Sequence, residues 1–218
     1  MVKGVIFDMD GLMFDTERLW DTMWEPACKE LGLPLPADMA KFQAGGRGLA
    51  GDNLRRHVAA YIPGDPQRVL DKVWQLADKR FAEGVPCKKG LKELLATLEE
   101  MGLPRIVASS SPRSMIEMNL KTSDTAKYFD KVVSGTEVAH SKPAPDTFLL
   151  AAEKLGLAPA DCLVLEDSFN GVRAGHAAGC VTVMVPDLMQ PTEEIRKLYD
   201  RKCEDLLEVR ELLVNGAL

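Results

Sequence analysis

Val5-Ile6-Phe7-Asp8-Met9-Asp10-Gly11-Leu12-Met13-Phe14-Asp15-Thr16 is the stretch of this 218-residue chain on which its reading turns. The apolar run from Val2 to Phe7 predicts a buried strand, because a parallel strand covered on both faces is apolar without alternation. Two carboxylates spaced two residues apart follow it, and the chain then turns. Ligands of open α/β sheets bind at the carboxyl ends of strands, so Asp8 is expected at the mouth of a site. With Asp10 beside it, one carboxylate can attack while the other moves protons. A calcium loop is the competing reading. An EF-hand counted from Asp8 needs Gly and Glu at its sixth and twelfth positions, where this chain has Met13 and Leu19.

Outward from this segment, short apolar runs recur at Ile106 to Ala108, Lys131 to Val133, Cys162 to Leu165 and Val181 to Val185. Helical patterns lie between most of them. Leu91, Leu94, Leu95, Leu98 and Met101 keep the spacing of one helix face, with Gly102 as a C-cap. Phe148, Leu149, Ala152 and Leu155 repeat it, with Pro145 near the start and Gly156 after the end. Strands alternating with helices imply right-handed crossovers, hence an α/β, Rossmann-like parallel sheet with helices on both faces. Residues 16–83 interrupt the alternation with helical segments only, broken near Leu33 to Pro36, Ala44 to Gly51 and Ile62 to Pro66. They predict an inserted α-helical cap domain, leaving residues 1–15 and 84–218 as the core domain. Pro26 falls in the first inserted helical stretch and predicts a kink or a helix start there.

Composition narrows the function. At 46% hydrophobic, 28% charged and 6% aromatic residues the chain is a folded globular protein, not a disordered or collagen-like one. Its 27 Lys and Arg against 33 Asp and Glu give a net charge of −6, without a dense basic run, so nucleic acid is not expected as a partner. The 5 cysteines are scattered and form no CxxC, which points away from disulfides and zinc and toward a reducing cytoplasm. Asp8 and Asp10 interrupt the first apolar run too early for a signal peptide, and no stretch approaches the ~18 apolar residues of a membrane span.

Three further motifs each follow a predicted strand, at the same sheet edge as Asp8. Ser109-Ser110-Ser111 precedes the helix starting near Pro112, so hydroxyls and helix-end amides can hold an anion there. Lys142 stands in Ser141-Lys142-Pro143-Ala144-Pro145-Asp146, between a turn and a helix start. Glu166-Asp167-Ser168 adds two more carboxylates, and Gly171, Gly175 and Gly179 on the next helix would let it pack close to the sheet. Asp8, Asp10, Glu166 and Asp167 at one edge would repel by several kcal/mol per pair at ~4 Å and an effective dielectric near ~20. A hard cation resolves this, and an oxygen-only donor set points to Mg²⁺, with Lys142 offsetting the remaining charge.

These motifs, in this order and with Asn170-Gly171 after the last, resemble those of the haloacid dehalogenase-like superfamily, in its β-phosphoglucomutase-like group with a helical cap. The resemblance covers nearly the whole chain. It implies that Asp8 attacks phosphorus to form an aspartyl phosphate, while Asp10 protonates the leaving oxygen and later activates water. It implies a Mg²⁺ ion held by Asp8, the Asp10 carbonyl and Asp167, with Glu166 supporting through water and Asp15-Thr16 completing the first motif. Ser109 and the Ser110 amide would bind the transferring group, and Lys142 would bridge it to Asp8.

Within that family Asp10 disfavours carbon–halogen chemistry, and neither Lys29 nor Lys41 matches the Schiff-base lysine of phosphonatases. The competitor is a phosphosugar mutase of the β-phosphoglucomutase type. Such enzymes carry a cap-side histidine where this chain has Trp20, so a phosphatase acting on small phosphomonoesters, sugar phosphates or related metabolites, is the expectation. A non-catalytic phosphate-binding module is disfavoured because Asp8, Asp10, Lys142 and Asp167 are all present. Arg47 of the Ala44–Gly51 loop is the candidate cap contact to substrate, since a guanidinium grips phosphate or hydroxyl groups. Arg113 and Asn170 are further candidates near the phosphate pocket. His57, His140 and His176 have no metal spacing. A monomer is expected.

Overall fold

The computed structural model describes residues 2–46, 49 and 51–218. Strands β1 (Gly4–Phe7), β2 (Arg105–Ser109), β3 (Val132–Ser134), β4 (Cys162–Glu166), β5 (Val181–Met184) and β6 (Arg201–Lys202) form one parallel sheet in the order β3-β2-β1-β4-β5-β6. β1 lies inside the sheet, with Ile6 level with Ile106 on one side and Val164 on the other. Its residues are all buried, as a strand paired along both edges and covered on both faces requires.

Helices α1 (Thr16–Asp21), α2 (Trp24–Leu31), α3 (Met39–Gly46), α4 (Gly51–Tyr61) and α5 (Pro66–Ala82) follow β1. Helices α6 (Leu91–Glu100), α7 (Arg113–Thr122), α8 (Asp146–Leu155), α9 (Phe169–Ala178) and α10 (Leu206–Val214) accompany the later strands. The chain divides into two compact units, Met1–Asp15 with Val85–Leu218, and Thr16–Gly84. No helix among the described residues is long and apolar enough to cross a membrane.

In the first unit Ile6, Ile106, Ala108, Val133 and Val164 of the sheet pack against Phe148, Ala151 and Ala152 of α8 and Ala174 and Ala178 of α9. Leu149, expected on the buried face of α8, is 41% exposed. That face centres on Phe148, Ala151 and Ala152, and the next residue turns about 100° away from it. The α9 glycines also divide their work. A Cβ at Gly175 would lie 2.7 Å from Thr182 Oγ1, so this glycine does let α9 approach the sheet. Gly179 has nothing within 4 Å and φ +73, and so serves as a left-handed C-cap rather than a packing residue.

The second unit has its own core of Cys28, Phe42, Val58, Ile62, Val69 and Leu70. Pro26 stands in the first turn of α2, where a missing N–H costs no helical bond, so it marks a helix start and not a kink. Asp65 caps α5 by accepting from Gln67 N at 3.0 Å, and Pro66 follows as its first residue. Part of the break expected at Ala44 to Gly51 is helical, because α3 runs on to Gly46.

At the edge strand β3, Glu137 receives Lys154 Nζ (2.9 Å), Arg113 Nη2 (2.7 Å) and the Ser134 amide (3.0 Å). The Lys154 hydrogen bond, followed by the Ser134 and Arg113 bonds, overcomes burial and lowers its pKa from 4.5 to about 2. A depressed folded-state pKa stabilises the fold above the unfolded value, and the contribution is lost as pH falls through the folded one. Glu137→Gln should therefore destabilise by about 1–2 kcal/mol at neutral pH, allowing for solvent screening. In urea titrations the gap to wild type should shrink as the pH drops from about 5 toward about 2. A gap independent of pH would count against this ionic account.

Candidate active site

β1 delivers Asp8 to the carboxyl edge of the sheet, and the Asp8 amide still pairs with Leu165 O of β4 at 3.0 Å. The chain then folds into a tight turn, with the amides of Met13 and Phe14 both donating to Met9 O at 2.9 and 3.2 Å. Met9, Leu12, Met13 and Phe14 are buried and anchor this turn. Gly11 adopts φ +83, and a Cβ on it would lie 2.2 Å from Asp167 Oδ2. Both conformation and space therefore require glycine at this position.

Lys142 comes to the same edge from the loop between β3 and α8. Its Nζ donates to Asp8 Oδ1 at 2.5 Å, Glu166 Oε1 at 2.8 Å and Ala108 O at 3.0 Å, and lies 4.5 Å from the centroid of the Phe148 ring. The lysine side chain is 4% exposed, and those of Asp8 and Glu166 are 9% and 1% exposed. Burial opposes the charge on Lys142, but the two carboxylates outweigh it and its pKa is raised. Burial likewise pushes Asp8 upward, with Lys142 pulling it back and Glu166 and Asp10 adding to the rise.

The serine segment after β2 points its hydroxyls at Asp10. Ser109 Oγ donates to Asp10 Oδ2 at 3.2 Å and Ser111 Oγ at 2.7 Å, while Ser111 N donates to Ser109 Oγ at 3.0 Å. Ser134, at the end of β3, steadies this segment by donating to Ser111 O at 2.7 Å. Ser110 is exposed, and a Cβ on Gly135 would lie 2.9 Å from its Cα, so the turn directly after β3 packs closely against it.

Carboxylate oxygens of Asp8, Glu166 and Asp167 lie within 4.8 Å of one another. The donors are all hard oxygens, the three groups are buried, and Lys142 is the cation bonded to two of them. Three buried carboxyl groups offering hard oxygens this close together fit a divalent cation such as Mg²⁺. Asp10 enters the expected ligand set differently from its neighbours, because its carboxylate faces Ser109 and Ser111.

Other expected residues fall less close to this chemistry. Arg113 pairs with Glu137 and Val132 O and not with the phosphate pocket. Asn170, in the first turn of α9, receives Arg173 Nη1 at 3.4 Å. Asp15 donates its amide to Pro86 O at 3.0 Å, and Thr16 is buried at the start of α1. Arg47 lies outside the described residues. Trp20 packs edge-on against Phe81, Lys29 and Lys41 are exposed, and His57 bonds Phe42 O at 2.7 Å within the second unit. His140 and His176 are exposed.

Sequence reasoning did not foresee two local arrangements. Ser168, singled out only as part of a motif, donates its amide (2.8 Å) and hydroxyl (2.9 Å) to Glu166 Oε2. Lys88 Nζ bonds Asp187 Oδ1 at 2.6 Å, with the Asp187 side chain 2% exposed. Asp187 follows β5, so this pair ties two loops of the first unit. Neither Lys88 nor Asp187 lies in a patterned motif that would have marked it.

The family model of haloacid dehalogenase-like hydrolases matches residues 2–179. The chain is 33% identical over 211 residues to hexitol phosphatase B of Escherichia coli (strain K12), covering 95% of this chain and 94% of that protein. Its fold matches a HAD family hydrolase from Deinococcus radiodurans R1, crystallised with bound phosphate and sodium, at TM-score 0.81 and 26% identity over 99% of this chain and 96% of that one. It also matches a β-phosphoglucomutase from Clostridium difficile at TM-score 0.77 and 20% identity over 99% and 96%.

Proposed function

Because the chain belongs to the haloacid dehalogenase-like hydrolases, in their β-phosphoglucomutase-like group, we propose that it is a Mg²⁺-dependent phosphatase of small phosphomonoesters, sugar phosphates foremost. Phosphomonoesterase activity accords with its phosphatase-named relative. The observation that carries the reading is the buried Asp8, held by Lys142 and set within 4.8 Å of Glu166 and Asp167.

In this reading an Asp8 carboxylate oxygen bonds to phosphorus as the ester P–O bond breaks, giving an aspartyl phosphate. Asp10 hands its proton to the departing alkoxide. It then takes a proton from the water that attacks the phosphoryl group, which leaves as inorganic phosphate and frees Asp8. The Ser109 hydroxyl and the Ser110 amide hold the transferring group, and Lys142 neutralises charge between that group and Asp8. Asp8, the Asp10 carbonyl and Asp167 would hold Mg²⁺, with Glu166 in support, and the ion would supply positive charge against the phosphoryl oxygens. Catalysis is then mostly positioning and electrostatics. Asn170 and Arg47 are assigned to substrate contact, Asp15 and Thr16 to support of the first motif, and residues 16–83 to a cap domain. The protein acts as a cytoplasmic monomer on diffusible metabolites.

The test is inorganic phosphate release from a panel of phosphorylated sugars and polyols. Chelation should lower the rate at least about 100-fold, and added Mg²⁺ should restore it. A rate untouched by thorough chelation would overturn the metal assignment. Conversion of β-glucose 1-phosphate to glucose 6-phosphate, primed by a trace of 1,6-bisphosphate and without phosphate release, would replace the phosphatase by a mutase.

A further inference from the structure

Gly171 stands in the first turn of α9, and its φ is not positive, so its backbone makes no demand for glycine. Glycine is among the poorest helix formers, which makes the space it leaves the feature to explain. A Cβ built on Gly171 would lie 1.6 Å from Glu166 Oε1, 1.8 Å from Glu166 Cδ and 2.3 Å from Oε2. The Glu166 carboxylate fills the volume that any side chain at 171 would need.

We infer that Gly171 is a positioning residue: the hollow it leaves in α9 seats the Glu166 carboxylate, which fixes Lys142 Nζ against Asp8. The inference rests on the reading of Asp8 as nucleophile. Ser168 completes the seat. It gives two hydrogen bonds to Glu166 Oε2, and its hydroxyl accepts from Gly171 N at 3.0 Å. That leaves Glu166 Oε1 to Lys142 at 2.8 Å. Glu166 is 1% exposed, so a methyl group at 171 cannot be met by swinging the carboxylate into solvent. It must displace the carboxylate from Ser168 and Lys142, and the ammonium then loses one of the two carboxylates that aim it. Groups that would hold the substrate, Ser109 and Ser110, are untouched by the change.

The experiment compares wild type, Gly171→Ala, Glu166→Asp and the double variant by kcat, KM and thermal stability. It adds the rate at which an acylating reagent modifies Lys142, read by mass spectrometry without substrate. Gly171→Ala should lower kcat at least about tenfold with KM within about threefold, although alanine is the better helix former. Lys142, 4% exposed in the wild type, should be acylated at least about fivefold faster. Glu166→Asp is one methylene shorter and vacates the space the methyl needs. The double variant should therefore regain at least about fivefold in kcat over Gly171→Ala and shield Lys142 again. Wild-type kcat and unchanged acylation in Gly171→Ala would overturn the proposal, and so would a double variant no better than the single one. If the wild type released no phosphate from any ester, the reading of Asp8 would fail, while the labelling rates alone would still decide whether Gly171 seats Glu166.

Discussion

Asp8→Asn should leave less than about one-thousandth of the wild-type rate of phosphate release, a barrier increase of at least about 4 kcal/mol. The amide is nearly isosteric with the carboxylate but lacks the anionic oxygen that must bond to phosphorus. It also lacks the charge that Lys142 meets at 2.5 Å. Folding should survive the change. Lys142 keeps Glu166 and Ala108 O as partners, and the buried position no longer has to accommodate a carboxylate whose charged form burial disfavours. Steady-state phosphate release and a thermal melt on the same preparation check both halves. A variant that melts near the wild type yet keeps a tenth of its rate would remove Asp8 from the nucleophile's role.

Much of this arrangement is legible in the sequence, because strands and site share one physical cause. The apolar runs ending at Phe7, Ala108, Val133 and Leu165 are recognisable as parallel strands buried on both faces. The chemistry then begins where three of these runs stop, at Asp8, Ser109 and Glu166, while Lys142 comes from the loop after the Val133 run. β6 was not legible. It comprises Arg201 and Lys202, both exposed, and carries no apolar signal. Its recruitment depends on neighbours instead, with Asp200 Oδ2 accepting from Thr182 N at 2.7 Å and Cys203 N donating to Met184 O at 2.9 Å. The orientation of Leu149 was misread because a helix-spacing template admits adjacent residues at the margin of its face. Only packing decides which one turns inward.

Within the site, residue types were legible and their partners were not. The three adjacent serines announce hydroxyls near an anion, but only the turn after β2 decides that Ser109 and Ser111 both reach Asp10. Gly171 reads as a helix-packing residue beside Gly175 until the Glu166 carboxylate is located in its hollow. Side-chain hydrogen bonds of this kind depend on fractions of an ångström in backbone placement, which residue periodicity does not encode.

Lys142→Met tests the charge arrangement on which the whole site depends. Methionine matches much of the lysine stem in length and volume, although it removes the ammonium that lies 4.5 Å from the centroid of the Phe148 ring. What disappears is the ammonium shared by Asp8 and Glu166, whose side chains are 9% and 1% exposed. Removing one member of a buried ion pair typically costs about 3–5 kcal/mol, because the remaining charge is left desolvated and uncompensated. The variant should therefore melt well below the wild type and turn over at least about 100-fold more slowly. Its response to Mg²⁺ should move the other way. With one positive charge gone from a cluster whose carboxylate oxygens lie within 4.8 Å, divalent binding should tighten at least about tenfold. The melting temperature should then rise more steeply with Mg²⁺ than in the wild type, as preferential binding to the native state requires. Thermal shift against Mg²⁺ concentration, paired with calorimetric titration, measures this directly. Weaker Mg²⁺ binding in the variant would mean that Lys142 does not compete electrostatically with the cation, and that the acidic cluster is balanced in some other way.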